Sequence, residues 1–283
     1  MNPNLISKTL QMYQSRGFTV RTGLSPWHFD CNYYRNLPFS SVFLDGTKVG
    51  VAGGISLIEM FFFGSLCAEL QPSRILVIGN AFGLSTVLLS VLNPNAKVVT
   101  IDAGTEGVDN SEGNKLTERI AREEGLNLTV VLGFSPQEVP ATVQKHLDGK
   151  VDLFFIDGLH TEAQQALDFE ACWKFGGNQS VYVFHDVLNF KMKSCFDRIC
   201  REHPEMQNAI LWRTVSGIGI LYSPTVSDSV ATIIKLFSEP DPLIEKTRRE
   251  IKVERLMTWS GAKYLRRLLP ESLIRSLRKR LYG

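Results

Sequence analysis

The chain has 283 residues, enough to bury a full core, and 44% hydrophobic against 21% charged residues is the balance of a globular protein rather than a disordered or fibrous one. No apolar run reaches the roughly 20 residues that span a bilayer; Ile55 to Leu70 is broken by Glu59 and Glu69, and the opening residues lack a signal peptide's basic-then-apolar layout. The five cysteines (Cys31, Cys67, Cys172, Cys195 and Cys200) show no C-x-x-C spacing, so neither a disulfide framework nor a zinc site is indicated, and a cytoplasmic setting is expected. The net charge of +2 is unevenly spread. Residues 246–283 carry 12 Lys/Arg against 3 Asp/Glu and the remainder 19 against 26, so an acidic body precedes a basic tail.

In chain order, a short helix is predicted near Leu5 to Gln14, followed by an aromatic-rich loop holding Trp27, Phe29, Tyr33 and Tyr34. Ser41–Leu44 and Lys48–Ala52 flank Asp45-Gly46, a pair suited to a tight hairpin turn. Ser56 is a plausible N-cap for a helix running towards Leu70. Short apolar runs then alternate with helical segments. Strands are predicted at Arg74–Gly79, Lys97–Asp102, Leu128–Gly133, Val151–Asp157 and Ser180–Asp186. Helices are predicted at Ser85–Leu92, Asn114–Glu124, Pro136–Leu147 and Thr161–Phe175, with another at Lys191–Glu202. This is the pattern of a doubly wound, Rossmann-like α/β sheet with right-handed crossovers. Ala209–Thr214 and Ile218–Ser223 are too close for a crossover, so an antiparallel hairpin should end the sheet. Three segments are expected: an N-terminal cap or arm over 1–55, a cofactor-binding domain over 56–225 and a basic helical extension over 226–283.

Chemistry-bearing residues gather at the carboxyl ends of the predicted strands, where open α/β sheets bind ligands. Gly79-Asn80-Ala81-Phe82-Gly83 forms the turn out of the first central strand, where glycine lets backbone amides approach a ligand. Its spacing does not meet the G-x-G-x-x-G dinucleotide fingerprint. Ser85 and Thr86 open the next helix, as caps or as further cofactor contacts. Asp102 ends the second central strand, where a carboxylate can accept hydrogen bonds from the ribose of a nucleoside cofactor. Asp157 ends a strand of apolar residues and needs a partner or a metal if buried. His160 follows three residues later and His185-Asp186 ends the neighbouring strand, so these four side chains are expected to converge on one cleft.

These motifs carry a resemblance. ILVIGNAFGLST, VVTIDA, VVLGFSPQEVP, the long run from VDLFFIDGLH to YVFHDV, and SGIGILY together resemble the class I S-adenosylmethionine-dependent methyltransferases, and most of all methyltransferase domain 24. About half of the chain, Ser73 to Ser223, is covered. The resemblance implies a seven-stranded, mostly parallel sheet and S-adenosyl-L-methionine as cofactor. It implies that Gly79 and Gly83 wrap the cofactor's methionine end, with Asn80, Ser85 and Thr86 counted among the cofactor-binding residues, that Asp102 binds its ribose, and that Ser135 lies beside its adenine. Asp157 matches the acid near the sulfonium and, with Asp186, the acids that hold magnesium in catechol-type O-methyltransferases. There are two departures. Val77 stands where an acid commonly precedes the first glycine, and Val187 stands where asparagine follows the second metal-binding acid. The metal reading, Mg2+ or another divalent cation, therefore rests on Asp157 and Asp186, with His160 or His185 able to assist.

The expected reaction is O-methylation of a small molecule such as a sugar or natural product. His160 or His185 would serve as base, and Asp157 or a metal would lower the acceptor's pKa. The alternatives are a catalytically degenerate scaffold, which Val77 favours, and an NAD(P)-dependent oxidoreductase, which the missing fingerprint disfavours. In the tail, Leu269, Leu273, Leu277 and Leu281 recur between Arg275, Arg278, Lys279 and Arg280, an amphipathic basic helix. It suits an anionic membrane surface, or docking on the body or a second subunit. No nucleic-acid-binding motif accompanies the charge.

Overall fold

A computed structural model describes residues 4–22, 39–105 and 110–238. The predicted aromatic-rich loop and the basic tail lie outside these residues.

The chain opens with α1 (Asn4–Gln14) and a small antiparallel sheet of β1 (Phe18–Arg21), β2 (Ser40–Leu44) and β3 (Thr47–Gly54). Asp45 and Gly46 turn between β2 and β3 with φ of 48° and 76°, the left-handed pair that matches strand twist in a two-residue hairpin. Helix α2 (Leu57–Leu70) starts with a capping box: Ser56 accepts from the Glu59 amide and Glu59 accepts from the Ser56 amide.

The main body alternates strand and helix: β4 (Arg74–Ile78), α3 (Leu84–Leu92), β5 (Lys97–Asp102), α4 (Asn110–Glu124), β6 (Leu128–Leu132), α5 (Val139–His146), β7 (Leu153–Ile156), α6 (Glu162–Gly176), β8 (Val181–Phe184), α7 (Lys193–Glu202), β9 (Gln207–Leu211), β10 (Ile218–Tyr222) and α8 (Asp228–Ser238). The seven-stranded sheet has the order β6-β5-β4-β7-β8-β10-β9. Pairing is parallel from β6 to β8, and β10 pairs antiparallel with both β8 and β9, as the short gap between the last two strands predicted.

The period of two along each strand sorts its side chains between two cores. Ile75, Val77, Leu153, Phe155, Val181 and Val183 join residues of α1, α2, α3, α4 and α8 on one face. Leu76, Ile78, Phe154, Ile156, Tyr182 and Phe184 join residues of α5, α6 and α7 on the other. Strands covered on both faces have no polar side, hence the continuous apolar runs. β1, four residues long and paired with a strand distant in sequence, was not predicted. α8 falls within the helical extension expected from residue 226, and it buries Val230, Ile234 and Phe237 in the first core. No helix among the described residues is long and apolar enough to cross a membrane.

Candidate active site

Register builds the site. Ile101, Ile78, Ile156 and Phe184 stand side by side on β5, β4, β7 and β8. One residue further, the ladder continues: the Gly79 amide donates to Ile101 O (2.9 Å), that of Asp157 to Ile78 O (2.8 Å) and that of His185 to Ile156 O (3.0 Å). Asp102, Gly79, Asp157 and His185 therefore form a row across four adjacent strands at their carboxyl edge. Each follows a residue of the second core, so alternation turns Asp102, Asp157 and His185 towards the α2 and α3 side.

The glycine turn sits against this row. Gly79 has φ +90°, and a Cβ there would lie 2.1 Å from the Asp157 carbonyl oxygen, so only glycine permits the approach of the β4 and β7 ends. Gly83 (φ +75°) is the N-cap of α3 and makes no side-chain cap hydrogen bond, leaving the helix N-terminus without a side-chain acceptor. Ser85 and Thr86 are the second and third residues of α3, both buried, and neither caps it. Asp102 ties the turn down: Oδ2 accepts from the Asn80 and Ala81 amides (2.7 and 3.2 Å), Oδ1 from the Gly104 amide (2.7 Å) and Asn114 Nδ2 (3.1 Å). Asn80 Nδ2 donates to Asn114 Oδ1 (2.7 Å) and Thr117 Oγ1 (3.0 Å), so α4 holds the turn from outside.

On the other side of the row, the four predicted side chains meet. One ligand atom from each of Asp157, His160, His185 and Asp186 lies within 4.8 Å of the others. His185 Nδ1 is 3.1 Å from Asp157 Oδ1 and 3.4 Å from Asp186 Oδ2; His160 Nε2 is 3.4 and 3.2 Å from the same two oxygens. These approaches are close, yet both ring nitrogens are buried and neither makes a hydrogen bond of acceptable angle. Asp186 is held in the left-handed region (φ +56°), and its Oδ1 accepts from Asn189 Nδ2 (2.7 Å). Phe190, which is exposed, stacks on the His160 ring at 4.3 Å.

The electrostatics follow from packing. Burial disfavours a charged His160, but Asp157 and Asp186 outweigh it and lift the imidazole to about 9. His185 is likewise raised: burial opposes its charge, and Asp157, Glu59 and Asp186 overcome that. Asp186 is lowered, its burial outweighed by the two histidines and Asn189.

Comparison with known proteins bears on the fold. Residues 76–187 match the model of a family described as a methyltransferase domain, Methyltransf_24. No curated protein matches the chain. Among solved structures, the fold is similar to an O-methyltransferase from Bacillus cereus in complex with SAH, at 17% identity and a TM-score of 0.51, covering 79% of this chain and 92% of that one. It is also similar to an SAH-bound methyltransferase of Podospora anserina, at 13% identity and a TM-score of 0.51, covering 78% and 88%. This is the class I methyltransferase fold.

Within that fold, the roles of two residues escaped the sequence reading. Glu59 of the methyltransferase fold's α2 is fully buried, and besides capping its own helix it reaches the site. Its Oε2 accepts from the Ser56 amide (2.7 Å) and faces His185 Nε2 (3.4 Å); its Oε1 accepts from the Ser216 amide (3.0 Å) and hydroxyl. Burial works to raise this carboxyl, but His185, Ser216 and Ser56 bring it down to about 2. The Ser56-x-x-Glu59 spacing was a visible signal for the cap, but not for the second partner. Tyr13 of α1 is a further addition, fully buried and donating from its hydroxyl to the Phe82 carbonyl (2.8 Å) inside the glycine turn. Ser135 donates to Asp168 Oδ1 (2.6 Å), which also accepts from Gln164 Nε2 (2.7 Å).

Proposed function

We propose that this chain transfers a methyl group from S-adenosylmethionine to a hydroxyl of a small-molecule acceptor, and that the cluster of Asp157, His160, His185 and Asp186 ionises that hydroxyl. The observation that carries the reading is the abutment of cluster and glycine turn, since the Gly79 backbone packs directly on Asp157. Two structures of the same fold are described with SAH, the demethylated form of that cofactor. Bound adenosylmethionine supplies a methyl group on a sulfonium, already activated for in-line displacement.

The chain's own residues supply placement and proton handling. The uncapped start of α3 offers amides to the cofactor's carboxylate, in the manner of helix N-termini that hold anions, while the turn's own amides at Gly79, Asn80, Ala81 and Gly83 are spent on Ile101, Asp102 and Asn80. Asp102 faces the same turn, but its four acceptor directions are taken, so ribose hydroxyls must replace donors from Gly104 and Asn114. Ser135 is placed beside the adenine on resemblance alone. His185 is 3% exposed and engaged by acids on both ring nitrogens, which suits holding the site together. His160 is the histidine an acceptor can reach, under the exposed ring of Phe190.

The four side chains also fit a divalent cation. Two buried ring nitrogens without hydrogen bonds face two carboxylate oxygens, a mixed nitrogen and oxygen donor set gathered around one point. Such an ion, when bound, supplies Lewis-acid stabilisation of an acceptor oxyanion, and Asp157, His160, His185 and Asp186 would hold it. The basic stretch over 246–283 is read as a docking segment for an anionic membrane surface or a second subunit.

Calorimetric titration with S-adenosylmethionine and with NAD, followed by labelled-methyl transfer to a panel of hydroxylated acceptors, tests the reading. Binding of the first cofactor alone is expected, and Asp157→Asn and His160→Ala should lose transfer about 100-fold or more while still binding it. Failure to bind adenosylmethionine overturns the proposal.

A further inference from the structure

We propose that the strand-end cluster is a site for a first-row transition-metal dication, bound through His160 Nε2, His185 Nδ1, Asp157 Oδ1 and Asp186 Oδ2, in preference to magnesium. The inference rests on the reading of that cluster given above, though not on the identity of the acceptor. It assigns His160 to the ligand set rather than to the role of free base.

The first argument is geometric. The four atoms alternate nitrogen and oxygen around a ring, with sides of 3.1, 3.4, 3.2 and 3.4 Å, and each carboxylate presents the same oxygen to both imidazoles. A ring with those sides, flat or folded towards a tetrahedron, has its centre roughly 2.0 to 2.3 Å from every corner, the range of metal–imidazole and metal–carboxylate bonds. Calcium, at about 2.3 to 2.6 Å with six to eight oxygens, is too large and too oxygen-demanding.

The second argument is chemical. Magnesium favours oxygen ligands and keeps several waters, whereas half of this donor set is imidazole, which suits the later first-row dications. Two carboxylates balance the charge of such an ion.

The third concerns how the ring is held. A metal-bound histidine commonly donates its other N–H to a carboxylate, which fixes tautomer and ring orientation. Glu59 stands at that place: it meets His185 Nε2 at 3.4 Å, positioned to accept from an N–H there and so leave Nδ1 to an ion in the cluster. Glu59 is itself locked by the Ser56 amide and by the Ser216 amide and hydroxyl, so it cannot turn away. It is a positioning residue, acting on the site through His185.

The test uses the full chain, stripped of metal and titrated separately with Co2+, Mn2+, Zn2+ and Mg2+. Visible absorption of the Co2+ form and calorimetry are the readouts. Co2+ is expected to develop ligand-field bands of a nitrogen-containing site and to be displaced by Zn2+. Affinity should rise from Mn2+ through Co2+, with Mg2+ at least about 100-fold weaker than Co2+. Because His160 is partly exposed, His160→Ala should fold and lose Co2+ affinity by about 100-fold; Glu59→Gln should lose about 10- to 100-fold with the circular dichroism unchanged. Mg2+ competing on equal terms with Co2+, or Co2+ bands indifferent to His160→Ala, would overturn the inference. Adenosylmethionine titration of the same sample is separate: loss of cofactor binding with intact Co2+ bands refutes methyl transfer and leaves the metal site standing.

Discussion

Glu59→Gln is the sharpest stability test of the site's foundation. The carboxylate receives four donors, two on each oxygen: the Ser56 amide and His185 on one, the Ser216 amide and hydroxyl on the other. Glutamine keeps the shape but turns one oxygen into an NH2 that must face two donors. Its less costly orientation points the NH2 at Ser216, whose hydroxyl can rotate to accept while its amide is orphaned. A buried N–H without a partner costs about 1 to 3 kcal/mol. The bond to His185 also loses its charge-assisted character, adding about 1 kcal/mol. The sum, about 2 to 4 kcal/mol, should appear as a lowered urea midpoint at unchanged slope and a melting temperature reduced by roughly 5 to 15 °C. Urea titration followed by far-ultraviolet circular dichroism measures it. A loss below about 0.5 kcal/mol, the scale of an ordinary surface substitution, would show that Glu59 is not the shared acceptor described.

Gly79→Ala should abolish cofactor binding and destabilise the chain by about 2 to 4 kcal/mol, since it adds left-handed strain to a contact of 2.1 Å with the Asp157 carbonyl; calorimetry showing wild-type affinity would contradict this. Tyr13→Phe removes only the hydroxyl that holds Phe82 O, so a loss of about 1 kcal/mol and a several-fold weaker cofactor affinity are expected, measurable by the same titrations. Asp168 gives a pH signature. Burial raises its carboxyl above the ordinary value, against the hydrogen bonds from Ser135 and Gln164. The folded state thus holds the proton longer than the unfolded one, and this group's contribution is lost as pH rises from about 4 through the raised value. Asp168→Asn should remove that slope from a plot of unfolding free energy against pH, and an unchanged slope would refute the assignment.

The strand–helix alternation was legible because each central strand is covered on both faces and reads as an unbroken apolar run. The terminal hairpin was legible because three residues cannot form a crossover. The convergence of Asp157, His160, His185 and Asp186 followed from their places at neighbouring strand ends. The sequence did not announce what joins elements across the fold. Glu59 meets Ser216 at a separation of 157 residues and Tyr13 meets Phe82 at 69, and neither has a local pattern that names its partner. Asp102 shows the same limit from the other side. Its position at the row was readable, but two of the four protein donors that occupy it depend on how Gly104 and α4 fold back over the turn.

A sheet edge assembled for stability alone would not be built this way. His185 and Glu59 are almost wholly buried, and a buried ion pair is often no more stable than apolar residues of the same size. Asp186 sits in a backbone region that costs a non-glycine residue of order 1 kcal/mol, where the loop could have carried glycine. Two imidazole nitrogens lie against carboxylates without the angles a hydrogen bond needs. Each feature is unfavourable alone, and all three meet at His185 and Asp186, beside the turn that brings Gly79 onto Asp157. Local departures from the stabilising rules that share a single focus are what a functional site imposes on its scaffold.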